Sequence, residues 1–130
     1  MKLWIVILFT IAGSVSIDCF SDAYLARIKT FVDQCQANPV TRVPEDWLDL
    51  TVLGRHADEA GPHILCRLKK VGSIKENGDI DVEALRKDLQ EALVDTSKVE
   101  EAVNKCSKKE SNWTAEKTAI ENYKCVLSFK

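Results

Sequence analysis

The sequence predicts an all-α domain, a compact bundle of about six short helices, and three observations carry that prediction. From residue 17 onward, apolar residues recur at helical spacing almost everywhere. No stretch alternates apolar and polar residues long enough to suggest a sheet. The length of 130 residues, with 45% apolar and 29% charged side chains, suits one small domain with a real core and excludes a disordered, collagenous or low-complexity chain. A net charge of -2, without any long block of like charge, removes the footprint that nucleic acid or an anionic membrane would need, so neither is an expected partner.

The first segment reads as targeting rather than fold. Lys2 precedes an apolar run from Leu3 to Ala12, too short to span a bilayer, and the small residues Gly13, Ser14 and Ser16 follow. Ser14 and Ser16 suit a cleavage site, which assigns residues 1–16 to a signal peptide and 17–130 to a single mature domain. A cut after Cys19 is the alternative. Export places the thiols in an oxidising compartment where they pair. Cys35, Cys66, Cys106 and Cys125 remain after either cut, and four cysteines allow three connectivities. None of the spacings is that of a zinc finger, so no metal or cofactor is expected.

The first helix starts with Ser21 as its cap, buries Tyr24, Leu25, Ile28, Phe31, Val32 and Cys35, and ends at Asn38-Pro39. Pro44 at a first helical position, Glu45 and Asp46 in the first turn, and Gly54 after Leu53 delimit a short second helix carrying Trp47, Leu48 and Val52. Pro62 opens a third, with Ile64, Leu65, Cys66 and Leu68 as its apolar residues, Lys69 and Lys70 at its end and Gly72 beyond. Asn77-Gly78 is a turn, after which Asp81 caps a fourth helix with Val82, Leu85, Leu89 and Leu93 on one face. Ser97-Lys98-Val99-Glu100 has the form of a capping box opening a fifth helix that buries Val99, Ala102, Val103 and Cys106. Trp113 and Thr114 introduce the sixth, with Ala119, Ile120, Tyr123, Val126 and Leu127 as its stripe.

Catalysis finds little support, because the cysteines are expected in disulfides and no serine elbow occurs. Asp79-Ile80-Asp81 does not match the ligand positions of a calcium loop and reads as turn plus cap. His56 and His63 flank a loop and the third helix; protonation between pH 5 and 8 would loosen that region, whereas the simpler reading is two solvent-facing imidazoles. Trp47 and Trp113 read as packing residues at helix starts, and Asn112-Trp113-Thr114 is an N-glycosylation sequon.

With its cysteines on the first, third, fifth and sixth helices, the chain resembles the insect odorant-binding proteins. That family's pattern has six cysteines, with three residues between the second and third and eight between the fifth and sixth; this sequence keeps four. Thirty residues separate Cys35 from Cys66, thirty-nine Cys66 from Cys106 and eighteen Cys106 from Cys125, suiting the family's first, third, fourth and sixth. The absent pair would fall at Pro62 and Glu116, the arrangement of the four-cysteine subgroup called Minus-C. The stretch from Lys69 to Leu85 is similar to the family's segment after its third cysteine.

The resemblance implies bridges Cys35–Cys66 and Cys106–Cys125, worth roughly 3.7 and 3.3 kcal/mol by loop entropy. The missing bridge would leave the contact between the third and sixth helices to packing and make an apolar cavity more compliant. Cys19 has no place in the pattern. The implied function is a secreted carrier of small hydrophobic ligands such as odorants, pheromones or lipids, working in sensillum lymph, haemolymph or another secretion, with a chemosensory receptor or a second copy as further partners. Its cavity would be lined by Phe31, Val52, Leu53, Ile64, Leu68, Leu85, Leu89, Val103, Ile120, Tyr123 and Phe129. Tyr123 offers a hydroxyl that would orient a polar head or reach water at a helix edge. A salivary-type scavenger of small mediators and a surface-acting signalling or defence protein are the alternatives.

Overall fold

A computed structural model describes residues 20–129. The predicted signal peptide, whether 1–16 or 1–19, and Cys19 lie outside the described residues. Among these residues six α-helices follow in order: α1 Asp22–Ala37, α2 Leu50–Arg55, α3 Gly61–Val71, α4 Val82–Ala92, α5 Val99–Cys106 and α6 Ala115–Leu127. Short 3-10 turns at Glu45–Trp47 and Thr96–Lys98 precede α2 and α5. Among the described residues, strand-like pairing is confined to the isolated bridges Phe20–Leu93 and Ile74–Ile80.

Local chemistry explains most of the boundaries. Ser21 Oγ accepts from the Tyr24 amide at 3.1 Å and donates to Glu91 O at 2.8 Å, so one side chain caps α1 and fastens it to the end of α4. Pro62 occupies the first turn of α3, where a missing N–H costs nothing, and Gly72 closes the helix at φ +97°, its amide donating to Leu68 O and Lys69 O. Asp81 accepts from Ala84 N at 3.0 Å and Thr114 from Lys117 N at 3.0 Å, capping α4 and α6.

Four expectations are corrected. The second helix is not continuous from Pro44: Asp49 Oδ1 accepts from Thr51 N at 2.9 Å and Val52 N at 3.1 Å, starting α2 afresh after the 3-10 turn. Gly54 lies within α2 instead of ending it, and a Cβ there would collide with Leu127 Cδ1, so the glycine admits α6. The Ser97 capping box does not form. Asp95 accepts from Ser97 N at 3.1 Å and from Ser97 Oγ at 2.6 Å, while Glu100 turns to Arg86 at 2.8 Å, so the carboxylate two residues upstream outcompetes the hydroxyl. Val82 is 40% exposed, because α4 packs through Leu85, Leu89 and Ala92 and leaves its first residue outside. Asp49→Ala is expected to cost about 1 kcal/mol of unfolding free energy in urea denaturation, the usual worth of an N-cap.

The core has two halves. Val43, Leu53, Ala57, Ala60, Ile64, Ile74, Ala119, Ile120 and Tyr123 form one around α2, α3 and α6. Phe20, Leu85, Leu89, Ala92, Leu93, Val99, Ala102 and Val103 form the other around α4 and α5. Leu50 and Leu127 pack against both. Disulfides join Cys35 to Cys66 and Cys106 to Cys125, tying α1 to α3 and α5 to α6, which are the two pairs the resemblance implies. Where the family's further bridge would link α3 to α6, Gly61 lies directly against the Glu116 side chain; a Cβ on Gly61 would sit only 2.7 Å from Glu116 Cγ. The carboxylate at the first turn of α3 also has the favourable sign for a helix N-terminus.

Candidate functional site

A partly enclosed cavity lies at the seam between the two core halves, bounded by residues from both. Tyr24, Ile28 and Phe31 of α1 form one wall, at the spacing that puts them on a single helix face. Ile64, Arg67, Leu68 and Val71 of α3 form another wall by the same rule. Phe20, Leu50 and Leu85, with Tyr123, Val126 and Leu127 of α6, complete the apolar lining. Its volume, counted as space open to the centre of a water-sized sphere, is about 40 Å³. That holds a few waters and is far below the roughly 300–1,000 Å³ of pockets that enclose small molecules. Any sizeable ligand therefore has to spread these helices.

Polar groups on this apolar lining are few and specific. Asp88 meets Arg27 Nη2 at 2.9 Å and accepts from the Tyr24 hydroxyl at 3.4 Å, so it joins α4 to α1 at the cavity edge. Burial pushes its carboxyl above the usual carboxylate range, against the pull of Arg27. Outside this pair runs an open groove lined by Arg27, Val71, Ala84, Lys87, Asp88 and Glu91, which shares Val71 and Asp88 with the cavity. Asn122 Nδ2 donates to Cys106 O at 2.7 Å. Tyr123 neither reaches water nor offers its proton to the cavity: its hydroxyl donates to Leu50 O at 3.0 Å, and burial raises its pKa to about 12 despite the neighbouring Arg67. Arg67 is 6% exposed, its Cζ 5.8 Å from the Tyr123 ring centroid, and its Nη1 has no hydrogen-bond partner. Ser73, 1% exposed just beyond α3, likewise has an unpartnered hydroxyl on the cavity wall.

Of the residues expected to line a cavity, Phe31, Ile64, Leu68, Leu85 and Tyr123 face this one. Leu53 and Ile120 lie instead within the half-core of α2, α3 and α6, and Leu89 and Val103 within that of α4 and α5. Val52 is half-buried outside the lining, and Phe129 packs against the second half-core with Lys105 Nζ 5.9 Å over its ring. Sequence reasoning passed over Arg67, Asp88 and Asn122, although each sits on an otherwise apolar helix face beside a lining residue. A polar side chain on such a stripe was the available signal.

His63 does not face solvent as expected, and His56 is half-buried. His56 stacks on Trp47 with ring centroids 4.1 Å apart and planes within 2°. His63 is 0% exposed, with Nδ1 3.0 Å from Thr41 O. A carbonyl only accepts, so Nδ1 carries the proton. Burial, reinforced by Arg67, lowers the His63 pKa to about 4, which takes its titration out of the pH 5 to 8 range. Asp79 pairs with Lys109 at 2.9 Å and its amide donates to Asn77 Oδ1 at 3.0 Å, while Asp81 caps α4, so this segment is a turn and a cap. Trp113 is half-buried at the entry to α6, and Asn112 of the sequon is exposed. Among the described residues no helix is long and apolar enough to cross a membrane.

A family model described as the PBP/GOBP family matches residues 18–128. No curated protein sequence matches the chain. Among solved structures, the fatty acid binding protein OBP56a from the oral disk of the blowfly Phormia regina shares the fold. Its TM-score is 0.55 at 18% identity, over 83% of this chain and 92% of that one. The helical frame, the two disulfides and the family match over nearly the whole described length agree: the chain belongs to the PBP/GOBP family.

Proposed function

We propose that this protein is a secreted carrier that takes small hydrophobic molecules into the cavity between α1, α3, α4 and α6. The observation that carries this reading is a partly enclosed, mainly apolar cavity at the junction of two half-cores rather than a solid interior. Odorants, pheromones and lipids are the ligand classes it suits, and the fatty acid named for the blowfly relative falls among them. The same reading takes residues 1–16 as an export leader, 17–130 as one domain and the two bridges as fitting an oxidising extracellular fluid and the Minus-C arrangement. It makes the protein a binder rather than an enzyme, with a chemosensory receptor or a second copy as further partners. A surface-acting role would call for a contiguous apolar patch, whereas the large exposed apolar residues Val40, Val82 and Val94 lie on separate segments.

The test is displacement of a fluorescent apolar probe from the oxidised, folded protein by a panel of volatile and fatty ligands at pH 7 and pH 5. Probe uptake in the micromolar range, reversed by some panel members, is the expected result. A folded sample that takes up no probe and none of the ligands would overturn the carrier reading.

A further inference from the structure

Resting on the carrier reading, we infer that the ligand is an amphipathic carboxylate, its head group held by Arg67 Nη1 and Ser73 Oγ and its chain by the apolar walls. Burying a guanidinium is costly unless an anion or a full set of hydrogen bonds compensates it. Arg67 is 6% exposed, yet among the described residues no ion pair includes it and Nη1 has no acceptor. The acidic residue of the lining, Asp88, is already committed to Arg27 at 2.9 Å and to the Tyr24 hydroxyl. The Tyr123 ring 5.8 Å from Arg67 Cζ gives a cation–π contact and its hydroxyl oxygen is a further acceptor beside the guanidinium, yet Nη1 itself remains without a partner.

The second unpartnered donor is Ser73 Oγ, which lies on the same cavity wall just after α3. Two orphaned donors, one of them cationic, in one apolar enclosure match a group with a negative charge and two acceptor oxygens. Neither an alcohol nor an ester supplies the charge. Apart from Asp88, paired with Arg27, and Asn122, bonded to Cys106 O, the remaining lining from α1, α2, α3, α4 and α6 is aliphatic or aromatic, so the rest of the ligand has to be a hydrocarbon chain or ring. An inorganic anion would answer the charge but leave the apolar walls without a partner.

Calorimetry at pH 7 with decanoic acid, decanol and methyl decanoate distinguishes the outcomes, using the oxidised wild type, Arg67→Met and Ser73→Ala. Wild type is expected to bind the acid at least about tenfold tighter than the alcohol or ester. Arg67→Met should abolish that preference, weakening the acid by about tenfold or more while leaving the alcohol within a few-fold, and Ser73→Ala should do so in part. Measured without ligand, Arg67→Met should also melt at a higher temperature than wild type, since it removes an uncompensated buried charge; a structural arginine would give a lower one. Equal affinity of wild type for acid and alcohol, or an acid preference that survives Arg67→Met, overturns the head-group assignment while leaving the carrier intact. Failure of folded wild type to bind any of the three overturns the carrier reading, and the assignment with it.

Discussion

Replacing Cys35 and Cys66 by serine is expected to lower the free energy of unfolding by about 3.7 kcal/mol, as the loop-entropy relation gives for a separation of 31 residues. The corresponding loss for Cys106 and Cys125, 19 residues apart, is about 3.3 kcal/mol. Against the roughly 5–15 kcal/mol that holds a typical domain, either change removes a large share. The two bridges differ in what they constrain. Cys35 and Cys66 join α1 and α3, two helices that both line the cavity, so this double variant should loosen ligand binding as well as unfold more readily. The α5–α6 bridge touches only one wall-forming helix. Urea unfolding of both double variants, with probe affinity measured in each, checks the order. A loss below about 1 kcal/mol for the α1–α3 pair would show that packing alone holds those walls together.

Acidification should cost about 2–3 kcal/mol through His63 alone. Its folded pKa of about 4 lies below the ordinary 6.5 of an unfolded histidine, so the unfolded chain binds the extra proton first. The stability is complete above pH 6.5 and is lost as the pH falls to about 4. Asp88 works in the opposite direction: its raised pKa makes the folded state the better proton acceptor in its own window. Comparison with His63→Gln isolates the histidine, because glutamine can still donate to Thr41 O but does not titrate. Unfolding free energies at pH 7 and pH 4 should differ by about 2–3 kcal/mol less in the variant than in wild type. Parallel pH profiles would mean that His63 is not kept neutral by the fold.

The helices themselves were legible because their signals are local. Ser21, Asp81, Thr114 and Gly72 act within a turn of their own positions, and the apolar stripes have the period of the helix. Where two local partners compete, the pattern misleads. Ser97 and Asp95 both stand within reach of the start of α5, and only the built loop decides for the carboxylate. The cavity is less legible still, because a stripe shows which face is inward but not whether it meets a filled or an open interior. Ile64 and Leu53 look alike in sequence, yet one lines the cavity and the other is locked among Ala57, Ala60 and Ala119. Two histidines beside a loop looked exposed because nothing local shows that Trp47 covers one and Thr41 receives the other.

The smallness of the cavity has a consequence for how fast the protein loads. A standing apolar void of about 300 Å³ would cost on the order of 7 kcal/mol at about 24 cal/mol per Å³, which a domain of this size can hardly bear. With about 40 Å³ open, that expense is avoided between cargoes and reappears at each uptake. Opening of the helices then precedes capture, so the observed association rate should level off as ligand concentration rises, at the frequency with which the walls part. Longer cargoes need wider and rarer openings. Selection among chain lengths would thus be exercised in time as much as in affinity.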